Sequence, residues 1–205
     1  KNLVGAFHQP ALVLADTATL STLPDREFHE GFAEIIKHAA IRDASLLDLV
    51  SDPQSIRQDL VDLIARNVAI KGRIVEEDEF ETSGSRALLN FGHTIGHGVE
   101  AAGGYGRFFH GEAISLGLVA ATRLSIELAG LDPEAGQRIT DCLAAYHLPT
   151  FLPEDLATDD ILSALAQDKK FESGLIRFVL LRSLGDAFVS KEVTITHLRA
   201  AIEGL

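Results

Sequence analysis

Apolar residues recur at three- and four-residue spacing through most of the chain. From about Asp25 to Asp43 the positions Phe28, Phe32, Ile35, Ile36 and Ile41 line one side of a helix as a broad apolar stripe. The same periodicity predicts helices over about Ala44 to Val50, Pro53 to Glu77, Arg86 to Ala102, His110 to Ala129, Pro133 to Tyr146 and Asp160 to Lys170. Pro53 and Pro133 fall at first-turn positions, where a missing N–H costs nothing. Near the C-terminus the segments I-R-F-V-L-L-R, S-L-G-D and A-F-V-S-K-E-V read as a β-hairpin, followed by a last helix from about Thr196 to Glu203. At the other end, Ala11 to Asp16 is a continuous apolar run after Pro10, expected to be a short buried strand leading into a turn-like T-x-T-L-x-T-L-P segment. The expected class is mainly α: one multi-helix domain with a short N-terminal strand and a small C-terminal hairpin. No internal repeat or low-complexity linker interrupts it.

Composition narrows the partners. The 205 residues suffice for one sizeable core or two small ones, and 46% hydrophobic with 23% charged content is ordinary for a soluble globular chain. Eighteen basic residues against 30 acidic ones give a net charge of −12, which argues against a nucleic-acid surface or an anionic membrane. The single cysteine, Cys142, excludes an intramolecular disulfide framework, fits a reducing cytoplasm and reads as core filling. No apolar run reaches transmembrane length and no signal peptide is visible. With no methionine anywhere, the chain lacks a translation start and is expected to be part of something longer.

The chemistry concentrates in R-A-L-L-N-F-G-H-T-I-G-H and the following F-H-G-E. His93 and His97 are four apart, so a helix stacks them on one face, and either could be a ligand or an acid/base group. A zinc-protease reading fails because Thr94 stands where that motif needs a glutamate. His110 opens the next helix beside a glycine, and Gly103, Gly104 and Gly106 allow that helix to return antiparallel onto the first. Three donors plus an open position is the catalytic zinc pattern; if one paired histidine is kept for proton transfer, Glu34 is the best third ligand. Glu34 and Lys37 share a helix face, a spacing that equally suits an ordinary exposed ion pair worth roughly a few tenths of a kcal/mol. Lys71, Arg86, Asn90, Lys169 and Lys170 are donors of the kind that hold carboxylates and phosphates, although each alone is more simply a solvated side chain.

K-N-L-V-G-A-F-H-Q-P, D-T-A-T-L-S-T-L-P, G-F-A-E-I-I-K, K-G-R-I-V-E-E-D-E-F-E, R-A-L-L-N-F-G-H-T-I-G-H, F-H-G-E-A-I and D-K-K occur here in the order seen in the 3-dehydroquinate synthase family. The chain resembles that family's C-terminal, largely helical domain over nearly its whole length. The resemblance implies that residues 1–205 form one metal- and substrate-binding domain. Residues 1–24 would be a strand and loop joining a Rossmann-like, NAD-binding half that this chain lacks. It makes Glu34, His93 and His110 zinc ligands, with cobalt as a substitute metal, and leaves His97 as an acid/base or phosphate-contacting group. Lys37 would lie beside the metal-bound substrate hydroxyls. Lys1, Thr19, Leu20, Ser21 and Thr22 match NAD-contacting positions. Asn2, Lys71, Arg86, Asn90 and one of Lys169 or Lys170 match substrate contacts, and Glu81 is a further active-site position. The stretches between Lys71 and Arg86 and between His97 and His110 each run about one residue long for the family, a difference loops tolerate.

The implied activity is that of an NAD- and zinc-dependent carbon–oxygen lyase of the shikimate pathway. It converts 3-deoxy-D-arabino-heptulosonate 7-phosphate to 3-dehydroquinate and phosphate in a cytoplasmic homodimer, and the chain alone is expected to be inactive. Two alternatives stand beside it. One is a related sugar phosphate cyclase making inosose, valiolone or aminodehydroquinate, which would have less use for Lys71 and Arg86 when its substrate lacks a carboxylate. The other is an inert metal-binding helical module.

Overall fold

Helix α1 (Asp25–Arg42) turns Phe28, Phe32, Ile36 and Ile41 into the core, leaves Ile35 half-buried, and carries Asp25 and Glu27 in its first turn, where the helix dipole favours acids. The structure, a computed structural model, describes residues 4–6, 8, 10–56, 59–80, 84–104, 106–166 and 176–205. After α1 come α2 (Ser45–Val50), α3 (Leu60–Glu77), a 3₁₀ turn (Arg86–Asn90), α4 (His93–Ala102), α5 (His110–Ala129), α6 (Pro133–Ala145), α7 (Thr158–Ala166), strands β1 (Phe178–Ser183) and β2 (Asp186–Ser190), and α8 (Ile195–Glu203).

Helix α5 is the axis of the fold. Between Gly111 and Ser125 every residue except Glu112 and Arg123 is buried, as expected of a helix apolar nearly all round. Helices α1, α4, α6 and α8 and strand β1 pack against it. Two glycines set how closely. A Cβ at Gly117 would lie 1.9 Å from the carbonyl oxygen of Gly92, and one at Gly111 would lie 2.0 Å from the carbonyl oxygen of Glu30. Helix α5 therefore touches α4 and α1 backbone to backbone, a separation that a side chain at either position forbids.

The hairpin is antiparallel, pairing Phe178 with Ser190 and Leu180 with Phe188. Besides packing, two hydrogen bonds tie it to the helices. Leu181 N–H donates to Ser125 Oγ at 3.0 Å, and Gly185 N–H, in the turn at φ 85°, donates to the Ala40 carbonyl at 2.8 Å.

Four expectations need correction. Ala11 to Asp16 is no strand: the run is exposed, with Leu12 at 83% and Leu14 at 87%, and pairs with no strand among the described residues. Apolar β-formers make a strand only where a partner completes the ladder, so composition alone overstated this segment. The T-x-T-L-x-T-L-P segment after it is more regular than expected, a 3₁₀ helix over Thr17–Thr22 capped by Asp16. The helix expected from Pro53 starts only at Leu60, because the Asp52 carboxylate accepts from Gln54 N–H at 2.9 Å and holds a turn there. The helix expected over Arg86 to Ala102 is two elements, since Gly92 adopts a left-handed φ of 77° between the 3₁₀ turn and α4. Helix α7 is described to Ala166; residues 167–170 lie outside the described residues. Cys142 is a buried free thiol in the core, as expected, and no described helix is long and apolar enough to cross a membrane.

Candidate metal centre and active site

The close glycine-mediated approach of α5 to both α1 and α4 puts the first residue of α5, His110, among side chains from the other two. Nε2 of His93 lies 3.1 Å from Glu34 Oε1, and Nε2 of His110 lies 3.5 Å from the same oxygen. The rings of His93, His97 and His110 are mutually within 5.4 to 5.9 Å, centroid to centroid. One nitrogen from each of the three lies within 4.8 Å of the others.

Two triads can thus be drawn, three imidazoles or two imidazoles with Glu34. Zinc–donor bonds of 2.0–2.1 Å in a tetrahedron set donors about 3.3 Å apart. The two distances from Glu34 match that edge. Chemistry agrees with geometry. Nδ1 of His93 donates to the Phe91 carbonyl at 3.2 Å, which leaves Nε2 as the nitrogen that faces Glu34. An imidazole nitrogen and a carboxylate oxygen facing each other at this distance are a donor pair that a divalent cation can bridge.

Lys37, 3% exposed, forms an ion pair with Glu34 Oε2. This is not the exposed pair that spacing alone allowed. Burial pushes the Lys37 ammonium below its ordinary pKa, and Glu34 works against that shift. For Glu34 itself burial favours the neutral acid, but hydrogen bonds to His110 and His93 and the charge of Lys37 overcome it and hold the carboxylate well below its usual range. His110 is raised, first by its hydrogen bond to Glu34. Behind Lys37, His38 is buried and bonded to Asn67 Oδ1 at 3.0 Å; burial pushes it down to about 4.

Of the other sequence candidates, Lys71 sits exposed on α3, where its charge is felt by Lys37 and His38. Arg86 and Asn90 bracket the 3₁₀ turn, which packs on both α1 and α3. The buried Asp78 carboxylate accepts from Gly84 N–H at 2.9 Å and Arg86 N–H at 3.2 Å, and the Arg86 guanidinium donates to the Glu79 carbonyl. His97 is exposed beside the cluster. Thr19, Leu20, Ser21 and Thr22 lie in the N-terminal 3₁₀ helix, where none is buried and the Thr19, Ser21 and Thr22 hydroxyls bond carbonyls three residues back. Lys1, Asn2, Glu81, Lys169 and Lys170 lie outside the described residues.

Sequence reasoning missed the acidic residues that frame His110. Glu30, one turn before Glu34, accepts from Gly111 N–H at 2.9 Å. Glu112 accepts from Phe109 N–H at 2.9 Å at the start of α5 and is gripped by Arg26, with Nε at 2.6 Å and Nη2 at 2.8 Å. Glu100 approaches His110 from α4. Helical spacing was the available signal: Glu30 shares a face with Glu34, and Glu100 shares one with His93 and His97.

Comparison with known proteins shows the family. The family model for the 3-dehydroquinate synthase C-terminal region matches residues 31–171, and that for its N-terminal region matches residues 1–30. The 3-dehydroquinate synthase of Coxiella burnetii (strain Dugway 5J108-111) is 45% identical over 99% of this chain and 58% of its own length. That of Opitutus terrae is 46% identical over 94% of this chain and 55% of its own. The chain therefore spans a little over half of these curated relatives. Among solved structures, 2-epi-5-epi-valiolone synthase from Streptomyces hygroscopicus, with NAD+ and Zn2+ bound, superposes with a TM-score of 0.84 at 29% identity over 100% of this chain and 58% of that one. A 2-deoxy-scyllo-inosose synthase complexed with carbaglucose-6-phosphate, NAD+ and Co2+ shares the fold, with a TM-score of 0.83 at 24% identity over 100% of this chain and 58% of that one. With its motifs in order and a family model matched across most of its length, the chain belongs to the 3-dehydroquinate synthase family.

Proposed function

We propose that the protein carrying this chain is a 3-dehydroquinate synthase, converting 3-deoxy-D-arabino-heptulosonate 7-phosphate to 3-dehydroquinate and phosphate without net redox change. The observation that carries the reading is the convergence of Glu34, His93 and His110 from three helices, with Lys37 buried against the carboxylate. These three residues would hold a zinc ion, with cobalt as a substitute. When bound, the metal would supply Lewis-acid chemistry at a substrate hydroxyl and carbonyl, and NAD would supply reversible hydride transfer.

The chain's own residues have separate tasks. Lys37 balances the Glu34 charge and presents N–H donors toward substrate hydroxyls. His97, within a ring's reach of both proposed histidine ligands, serves as acid/base or phosphate contact. Lys71 and Arg86 bind the substrate carboxylate. Asn2, Asn90 and one of Lys169 or Lys170 bind the phosphate, with Glu81 beside them, fixing a flexible sugar in one reactive pose. Such a local set of donors admits a dianion to a chain of net charge −12. Lys1, Thr19, Leu20, Ser21 and Thr22 contact NAD. The enzyme acts in the cytoplasm as a homodimer, a reading supported by the lone cysteine and by family resemblance.

The test is zinc content and heptulosonate turnover of the full-length protein beside its Glu34→Ala and His110→Ala variants. The reading expects about one zinc per chain and activity in the parent, and loss of both in each variant. A metal-free parent together with fully active variants would overturn it. The structural likeness to valiolone and inosose synthases motivates a second reading, a cyclase of carboxylate-free substrates. Faster turnover of a sugar phosphate without a carboxylate than of the heptulosonate would select it; the presence of Lys71 and Arg86 favours dehydroquinate.

A further inference from the structure

Resting on the metal site proposed above, we infer that Glu100 is a positioning residue for that site: it orients His110 by accepting its Nδ1–H, so that Nε2 is held as the ligating atom. His110 is the candidate ligand with the least support from its own helix, because it is the first residue of α5. Its backbone is pinned from both sides, by Glu112 on Phe109 N–H and by Glu30 on Gly111 N–H, each at 2.9 Å. Those bonds leave the rotation of the ring undetermined. His93, by contrast, has its ring set by the Phe91 carbonyl.

The His110 ring has one polar atom on each side. Nε2 faces Glu34 Oε1 at 3.5 Å, and Nδ1 faces Glu100 Oε2 at 3.5 Å. Nδ1 is buried and makes no hydrogen bond of ordinary length, so the carboxylate is the group placed to accept from it. Glu100 stands two turns along α4 from His93, so the helix that supplies one ligand also supplies the partner for another. Glu30, Glu100 and His110 line one cleft with Phe108 and Phe109, whose apolar walls strengthen a charge-assisted contact of this kind. A carboxylate on the far nitrogen fixes the tautomer, limits ring rotation and makes the other nitrogen a better donor.

The experiment compares zinc affinity and the visible absorption spectrum of the cobalt-substituted full-length protein for the parent, Glu100→Ala, Glu100→Gln, and the ligand variants Glu34→Ala and His110→Ala. Glu100→Ala is expected to weaken zinc binding about 10- to 100-fold and to change the cobalt ligand-field bands. Glu100→Gln, which keeps an acceptor oxygen, is expected to recover most of the affinity. If Glu100→Ala retains parental zinc affinity and cobalt spectrum while the ligand variants lose metal, the role of Glu100 is refuted and the metal site stands. A fall in melting temperature with the cobalt spectrum unchanged also refutes it, because a purely structural role would do that. If the ligand variants bind zinc as tightly as the parent, it is the metal site itself that fails.

Discussion

The candidate metal cluster and the N-terminal segment carry equally recognisable motifs, yet their physical states are opposite. Glu34, His93 and His110 sit on three helices locked by backbone contact at Gly111 and Gly117, with a buried lysine balancing the carboxylate. Residues 10–16 expose Leu12, Val13 and Leu14, and the 3₁₀ helix after them satisfies its hydroxyls on its own carbonyls. The first region is organised by packing within the chain. The second has apolar surface that this chain does not bury, and it coincides with the part matched by the family's N-terminal model. Sequence identity of motif therefore says nothing about whether a site is held in place; close-packed helices do.

The largest effect should come from forcing the helices apart. Gly117→Ala puts a methyl where only 1.9 Å separates it from the Gly92 carbonyl, a backbone atom that cannot swing aside. We expect a loss of about 3 kcal/mol in urea unfolding. Zinc affinity should fall as well, since His93 and His97 would move relative to His110. A Gly117→Ala protein with parental stability and metal affinity would show that the α4–α5 contact does not organise the cluster.

Helix order was legible because amphipathic periodicity is dense here: α1, α5 and α6 begin within a residue of where the apolar stripes place them. The histidine cluster was legible from the i, i+4 pair and the glycines before His110. Its closure was not, because the glycines that bring the helices together, Gly111 and Gly117, look in sequence like ordinary small residues inside a helix. Their role exists only in the three-dimensional approach. Asp52 and Gly92 show a second limit, local side-chain bonding and a left-handed backbone overriding periodicity. The acids around His110 were missed for a related reason: Glu30 and Glu100 act on a residue distant in sequence.

His38 offers a test of intermediate size, one helix turn from Glu34. Burial, reinforced by the charge on Lys37, holds it at about 4, below the roughly 6.5 of an unfolded histidine. As pH falls below about 6.5 the unfolded chain takes up this proton and the folded one does not, so stability present at neutral pH is lost progressively until about pH 4. The contribution is about 3 kcal/mol across that window. His38→Gln removes the titration, so its unfolding free energy should decline less between pH 7 and pH 4 than the parent's. Parallel declines would mean that His38 is solvated, and that the packed side of the comparison is looser than its geometry indicates.

The smallest effect belongs to the other region. Leu14 is 87% exposed, so Leu14→Asp removes almost no buried apolar surface and leaves no buried charge. Its effect on the unfolding free energy of this chain should stay within about 0.5 kcal/mol, and zinc affinity should be unchanged. The same substitution at Ile95, fully buried on the helix that carries His93, would leave an unpaired carboxylate in the core and should abolish folding. Both variants put an aspartate in place of a branched aliphatic side chain, so comparing their folded fractions by circular dichroism separates packing from composition. Should Leu14→Asp cost as much as a core substitution, the N-terminal segment is held by contacts of its own, and the contrast between the two regions disappears.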